Sequence, residues 1–165
     1  MDDRVREKLK KISIFKKFAE DNLALEKIGG IIRVVKFKNG GYIIKEGEQG
    51  DDMFILNEGR VCIEKKTLQN ENYTVVELTD AMHVFFGELA LMDDDVRSAS
   101  VMAVTDCECF KIKKDDFERL GDEDTKVGLY VTREIAKILA KRLRNANKDS
   151  ITLFSALVTE IEGME

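Results

Sequence analysis

Phe86-Gly87-Glu88-Leu89-Ala90-Leu91-Met92-Asp93-Asp94-Asp95-Val96-Arg97-Ser98-Ala99-Ser100 is the stretch whose reading decides this chain. It opens with a glycine and a lone carboxylate in an apolar run, and an arginine follows nine residues after the carboxylate. Gly87 lets backbone N–H groups approach a ligand closely. The small residues after Arg97 leave further N–H groups free to form an anion-binding concavity. Arg97 offers a forked, charge-assisted pair of hydrogen bonds suited to phosphate oxygens. Glu88 is the wrong charge for phosphate but a good acceptor for a sugar hydroxyl. One segment thus offers a cation for an anion and an anion for a hydroxyl, a combination that suits a compact phosphate ester of a sugar.

Around this stretch the texture changes twice. Up to about residue 28 the apolar positions Val5, Leu9, Ile12 and Phe15 to Phe18 recur at helical spacing, and Asp21 is placed to cap a short helix before Leu23. Gly29-Gly30 is expected to break that pattern. From Ile31 to Ile112 short β-branched and aromatic runs alternate with turns. They are Ile31–Phe37, Tyr42–Ile44, Met53–Leu56, Arg60–Lys65, Tyr73–Leu78, and a last pair, Ser98–Val104 with Cys107–Ile112. Leu68 to Asn72 reads as a polar loop. Many short strands with glycine turns imply a sandwich or jelly roll. From Lys114 the pattern is helical again, with acids at the start (Asp115, Asp116, then Asp122 to Asp124) as a helix N-terminus favours. Beyond it, Leu129, Ile135, Ile138, Leu139 and Leu143 are followed by Ile151, Phe154, Leu157, Val158 and Ile161. That spacing allows one long helix pairing with a copy of itself, or a segment folded back on the roll. An apolar stripe of this extent is a liability in a monomer, so a homodimer through the C-terminal helix is expected. Lys137, Lys141, Arg142, Arg144 and Lys148 read as a solvated helix face.

Composition narrows the function classes. The chain has 165 residues, 44% apolar and 36% charged, which suits one soluble domain with a helical extension. No apolar run reaches the ~18 residues of a membrane span. The charged start, Met1 to Arg4, lacks a signal-peptide core. Three cysteines fit a reducing compartment, and a cytoplasmic location is expected. A net charge of −5 argues against nucleic-acid binding by the chain itself. One histidine, His83, rules out a histidine-rich metal site or a metal-dependent cupin, and reads as a half-buried turn residue. Cys107 and Cys109 read as strand positions facing one way, and Glu46 to Asp52 lacks the ligand spacing of a calcium loop. No metal and no cofactor are expected, and no enzymatic activity.

Phe86 to Leu91, a five-residue spacer, and Arg97-Ser98-Ala99 together resemble the phosphate-binding cassette of the cyclic nucleotide-binding domain family, which includes catabolite activator proteins and cyclic AMP-dependent kinase regulatory subunits. Gly40, Ile43, Gly47, Asp51, Phe54-Ile55, Gly59 and Val61 resemble the roll of that family, with the glycines at turn positions. The resemblance spans roughly residues 10–145. It implies an α+β, mainly β fold: a double-stranded β-helix jelly roll with N-terminal helices and a long C-terminal helix, divided as 1–121 and 122–165. It also implies roles for the cassette. Arg97 would pair with the cyclic phosphate, aided by Ser98 and the Ala99 amide. Glu88 would accept from the ribose 2′-hydroxyl, with the backbone of Gly87 and Leu89 completing the sugar contacts and Phe86 and Ala90 in the wall. The base would stack on roll side chains and on the long helix, which moves over it when ligand binds. Arg-Ser-Ala occurs in bacterial cyclic AMP regulators, while a hydroxyl after the arginine also marks many cyclic GMP sites; cyclic AMP is the expected ligand. About 18 residues follow Asn147, too few for a helix-turn-helix, so a stand-alone sensor acting on an unnamed effector is expected. Two departures stand out: Val96 replaces a common proline after three aspartates, and His83-Val84 replaces a glycine and a polar residue. They leave as alternative a degenerate roll serving as a non-binding dimerisation module.

Overall fold

The computed structural model describes residues 1–67, 69 and 71–162; Leu68 and Asn70 of the expected polar loop lie outside the described residues. The chain opens with helix α1 (Asp3–Lys11), a 3₁₀ turn (Ser13–Phe18) and helix α2 (Asn22–Gly30). Each helix starts where a carboxylate satisfies a free backbone donor. Asp2 accepts from the Arg4 amide at 2.9 Å, and Asp21 from the Ala24 amide at 3.1 Å. Gly29-Gly30 are the last two residues of α2, and the helical pattern ends with them, as expected. A side chain at Gly29 would have to displace the exposed Met1 side chain, whose Sδ lies where a Cβ would stand.

Eight strands follow: β1 (Ile32–Phe37), β2 (Tyr42–Ile44), β3 (Asp52–Glu58), β4 (Arg60–Lys66), β5 (Asn72–Thr79), β6 (Phe85–Phe86), β7 (Ser100–Ala103) and β8 (Cys107–Lys113). They make two antiparallel four-stranded sheets, in orders β1-β8-β3-β6 and β2-β7-β4-β5. The last two strands are therefore not partners: β7 pairs with β2 and β4, and β8 with β1 and β3. Alternation along β3 divides the core. Met53 and Ile55 join the helices' apolar cluster, with Leu9, Phe18, Leu25 and Phe110. Phe54 and Leu56 face the other sheet, with Val61, Phe86, Val101 and Cys109. Cys62, Cys107 and Cys109 are buried free thiols. Gly59, in the β3–β4 turn, has φ +100°, and a Cβ there would lie 2.6 Å from the Asp106 carbonyl oxygen.

Helix α3 (Lys114–Glu123) leads into α4 (Thr125–Glu162), 38 residues without a break. Asp124 makes the corner by accepting from the Val127 amide at 3.2 Å. Gly121 and Gly128 let the two helices touch, since a Cβ on Gly128 would lie 2.6 Å from the Gly121 Cα. Val127, Val131 and Ile135 are buried in the same core as α1 and α2, so that core crosses residue 122. Beyond Arg142 nearly every side chain of α4 is exposed, including Leu143, Ile151, Phe154 and Leu157. Among the described residues no helix is long and apolar enough to cross a membrane.

Candidate functional site

The quoted stretch joins the two sheets. Phe86 ends β6 and stacks on Phe54 with ring centroids 5.8 Å apart. The chain then turns at Gly87, φ +77°, into a 3₁₀ turn over Glu88–Leu91. Glycine is required there: a Cβ would lie 2.9 Å from Ile44 Cδ1, 3.0 Å from Arg97 Nη1 and 3.1 Å from the Asp52 carbonyl oxygen. Residues 92–99 form an open loop before β7. Its backbone is pinned at Arg97, whose N–H donates to the Glu48 carbonyl and whose carbonyl accepts from the Gly47 amide, each at 2.9 Å. Where a proline was lacking, Asp95 accepts from the Val96 amide at 2.7 Å and fixes the turn locally.

All eight predicted residues, Phe86, Gly87, Glu88, Leu89, Ala90, Arg97, Ser98 and Ala99, line one cavity of about 590 Å³. Its far wall is apolar, with Ile63, Val75, Val76 and Leu78 from β4 and β5, and helix α4 closes one side with Leu139 and Arg142. Among the described residues the amides of Gly87, Glu88, Leu89, Ser98 and Ala99 meet no protein acceptor. They are the raw material of an anion-binding concavity.

Both charged members of the site are engaged within the protein. Arg97 is buried, and its Nη1 donates to the Asp52 and Gly87 carbonyls at 2.8 and 3.3 Å. Its Nη2 donates to Asp52 Oδ1 at 2.5 Å. Nε–H and one Nη2–H keep no protein acceptor among the described residues. Asp52 Oδ2 is 2.7 Å from Lys111 Nζ. Glu88, 2% exposed, accepts from Nη1 of Arg142, which reaches down from α4. Arg142 stays exposed along the basic face, but its guanidinium tip is drawn to a buried carboxylate, a role the sequence reading did not give it. Asp94 turns away to Lys114, 2.6 Å distant, and holds that ammonium above its ordinary range through the hydrogen bond. Asp93 and Asp95 stay exposed at the rim. His83 is a half-buried turn residue in the left-handed region, φ 51°, closing the 3₁₀ turn Asp80–Met82. Among the described residues no group of three His, Cys, Asp or Glu is placed to hold a metal ion.

Sequence reading missed Asp52, Lys111 and Arg142. Asp52 left one signal, a carboxylate directly before the apolar run Met53–Leu56. Arg142 left none, because nothing local separates it from Lys141 or Arg144.

Comparison with known proteins agrees with this geometry. The family described as "Cyclic nucleotide-binding domain" matches residues 34–124. The chain is similar to cGMP-dependent protein kinase 2 of Homo sapiens, 34% identical over 149 residues, 90% of this chain and 18% of the kinase. It is also similar to the cAMP-dependent protein kinase regulatory subunit of Emericella nidulans, 38% identical over 94 residues, 57% of this chain and 22% of that protein. The chain therefore spans about a fifth of the length of such relatives. The crystal structure of Thermus thermophilus catabolite activator protein superposes with a TM-score of 0.69 at 26% identity, covering 81% of this chain and 61% of that one. With the cassette, the two-sheet roll and the matched residues in agreement, this chain belongs to the cyclic nucleotide-binding domain family.

Proposed function

We propose that the cavity binds a purine 3′,5′-cyclic nucleotide, cyclic AMP ahead of cyclic GMP, and that binding regulates rather than catalyses. The observation that carries this reading is the convergence of five unpaired amides, Arg97 and Glu88 on one cavity. The cyclic phosphate takes the amides and the two remaining Arg97 N–H groups, in charge-assisted bonds worth ~1.5–3 kcal/mol each. The ribose 2′-hydroxyl donates to Glu88. The base lies against Val75, Val76 and Leu78. That apolar wall supports adenine, which has fewer polar edge atoms to satisfy than guanine.

Arg142 makes helix α4 the output. It holds the carboxylate that the ribose requires, so nucleotide and helix share one acceptor and each alters the other's hold on it. The exposed apolar stripe of α4 pairs with a second copy and carries the change onward, to an effector of the assembled protein. Sedimentation of the chain against an Ile151→Asp, Leu157→Asp variant checks this: a dimer that becomes a monomer is expected, and two identical monomers would remove the pairing.

The deciding experiment is calorimetric titration with cyclic AMP and cyclic GMP. Micromolar or tighter binding is expected, tighter for cyclic AMP. Arg97→Ala is expected to weaken it by ~2–5 kcal/mol, because a buried phosphate loses its charge partner. No heat with either nucleotide would overturn the reading in favour of a dimerisation module.

A further inference from the structure

We propose that Lys111 is a positioning residue for Arg97: it takes the second oxygen of Asp52, and so keeps the guanidinium fixed in place and still cationic toward a phosphate. The proposal rests on the reading of Arg97 as the phosphate ligand. Three charges lie in a row, Arg97 Nη2 to Asp52 Oδ1 at 2.5 Å and Asp52 Oδ2 to Lys111 Nζ at 2.7 Å. A lone Asp52–Arg97 pair would be electrically neutral, and a neutral pair attracts an anion weakly. With one carboxylate shared between two cations the row keeps a net positive charge, and Arg97 stands at the end nearest the cassette.

The same sharing fixes geometry. A carboxylate held at one oxygen can rotate, and a guanidinium bound to it can follow. Held at both oxygens, Asp52 presents Oδ1 in one direction. The anchor is stiff because β8 is flanked by β1 and β3, with Lys111 opposite Arg33 and Phe54. Its ammonium also sits 5.9 Å from the Phe54 ring centroid. Among the described residues no neighbouring cation pairs with Asp52 in its place. Lys36 lies with Glu108 at 3.6 Å, and Lys113 with Asp51 at 3.7 Å.

Lys111 acts without touching the nucleotide. It is absent from the wall of the cassette cavity and lines a second cavity of about 740 Å³, which Arg97 and Gly50 also line. Gly50 lies against the guanidinium: a Cβ there would collide with Arg97 Nε and Nη2. Arg97 is therefore held between Gly50 and Gly87, and the direction of its free N–H groups depends on what Asp52 does.

Two measurements on the full chain, on Lys111→Met and on Lys111→Arg test this. The first is the ¹⁵N-edited NMR signal of Arg97 Nε–H without nucleotide. It is expected to be sharp in the parent chain and in Lys111→Arg, and broadened by rotation and solvent exchange in Lys111→Met. An unchanged signal in Lys111→Met overturns the proposal whether or not nucleotide binds. The second is cyclic AMP affinity across a salt series. Lys111→Met is expected to bind roughly tenfold more weakly with a shallower salt dependence, and Lys111→Arg within about twofold of the parent. Equal losses in both variants, with unchanged salt slope, would make Lys111 a packing residue and overturn the proposal. If the Arg97 signal responds as expected while the parent chain binds no nucleotide, the positioning stands and the nucleotide reading falls.

Discussion

The two charged ends of the cassette are anchored to different bodies. Arg97 is tied to β3 through Asp52, and behind it to β8 through Lys111, within the buried part of the roll. Glu88 is tied to Arg142 on α4, just where that helix leaves the core. A site that only had to hold an anion would need the first arrangement alone. The second adds a dependency: what happens at Glu88 is felt by a helix whose outer half touches little else. On the proposed function, one end sets how tightly an anion is held, and the other passes the event to α4.

The contrast is open to test from its strongest side first. Asp52→Ala leaves buried Arg97 and half-buried Lys111 as uncompensated cations, and unfolding in urea is expected to show a loss of ~3–5 kcal/mol. A loss under 1 kcal/mol would mean that the fixed end is not fixed by charge. Gly59→Ala probes the scaffold without touching charge. It forces a side chain into a left-handed turn against the Asp106 carbonyl, and ~1–3 kcal/mol of stability is expected to go. Nucleotide affinity at saturating stability should be untouched.

On the other side, Arg142→Ala removes a partner whose own side chain is 56% exposed but leaves buried Glu88 without its cation, so stability should fall by ~1–3 kcal/mol. Its distinguishing mark is expected elsewhere. Hydrogen exchange over residues 139–162 should speed up, and cyclic nucleotide affinity should rise about two- to fivefold because Glu88 no longer has to exchange a cation for a hydroxyl. Unchanged exchange with lowered affinity would place Arg142 among the ligand contacts and end its role as the link to α4.

The smallest effect concerns Cys109 on β8. Burial pushes its thiol from 9.0 to about 12. Between those values the folded chain keeps a proton that the unfolded chain has lost, so this group's contribution is full below pH ~9 and is lost as pH rises toward ~12. Cys109→Ala is expected to flatten the fall in melting temperature between pH ~8 and ~10. An identical fall in both proteins would show that the scaffold lets solvent reach β8.

What sequence could reveal follows the same division. The cassette was legible because its residues are contiguous and its chemistry is local: a glycine turn, an apolar 3₁₀ segment, an arginine at fixed spacing. The helix starts at Asp21 and at Asp122 to Asp124 were equally local, since a cap acts within three residues. The partnership of β7 and β8 was misjudged because adjacency along the chain does not decide which sheet a strand enters; the crossing of the sandwich does. Asp52, Lys111 and Arg142 escaped for a related reason. Each acquires its role from a charge 45 or more residues away, or from a strand neighbour that only the register creates.

The length of α4 has a mechanical consequence. From Leu143 to Glu162 it extends for ~30 Å past its last contact with the cassette, at 1.5 Å per residue. If exchange at Glu88 tilts the helix by roughly 10°, a shift of little more than 1 Å at Arg142 becomes ~5 Å at the tip. Motion too small to reshape the pocket would thus arrive at the far end as a displacement the size of a helical turn.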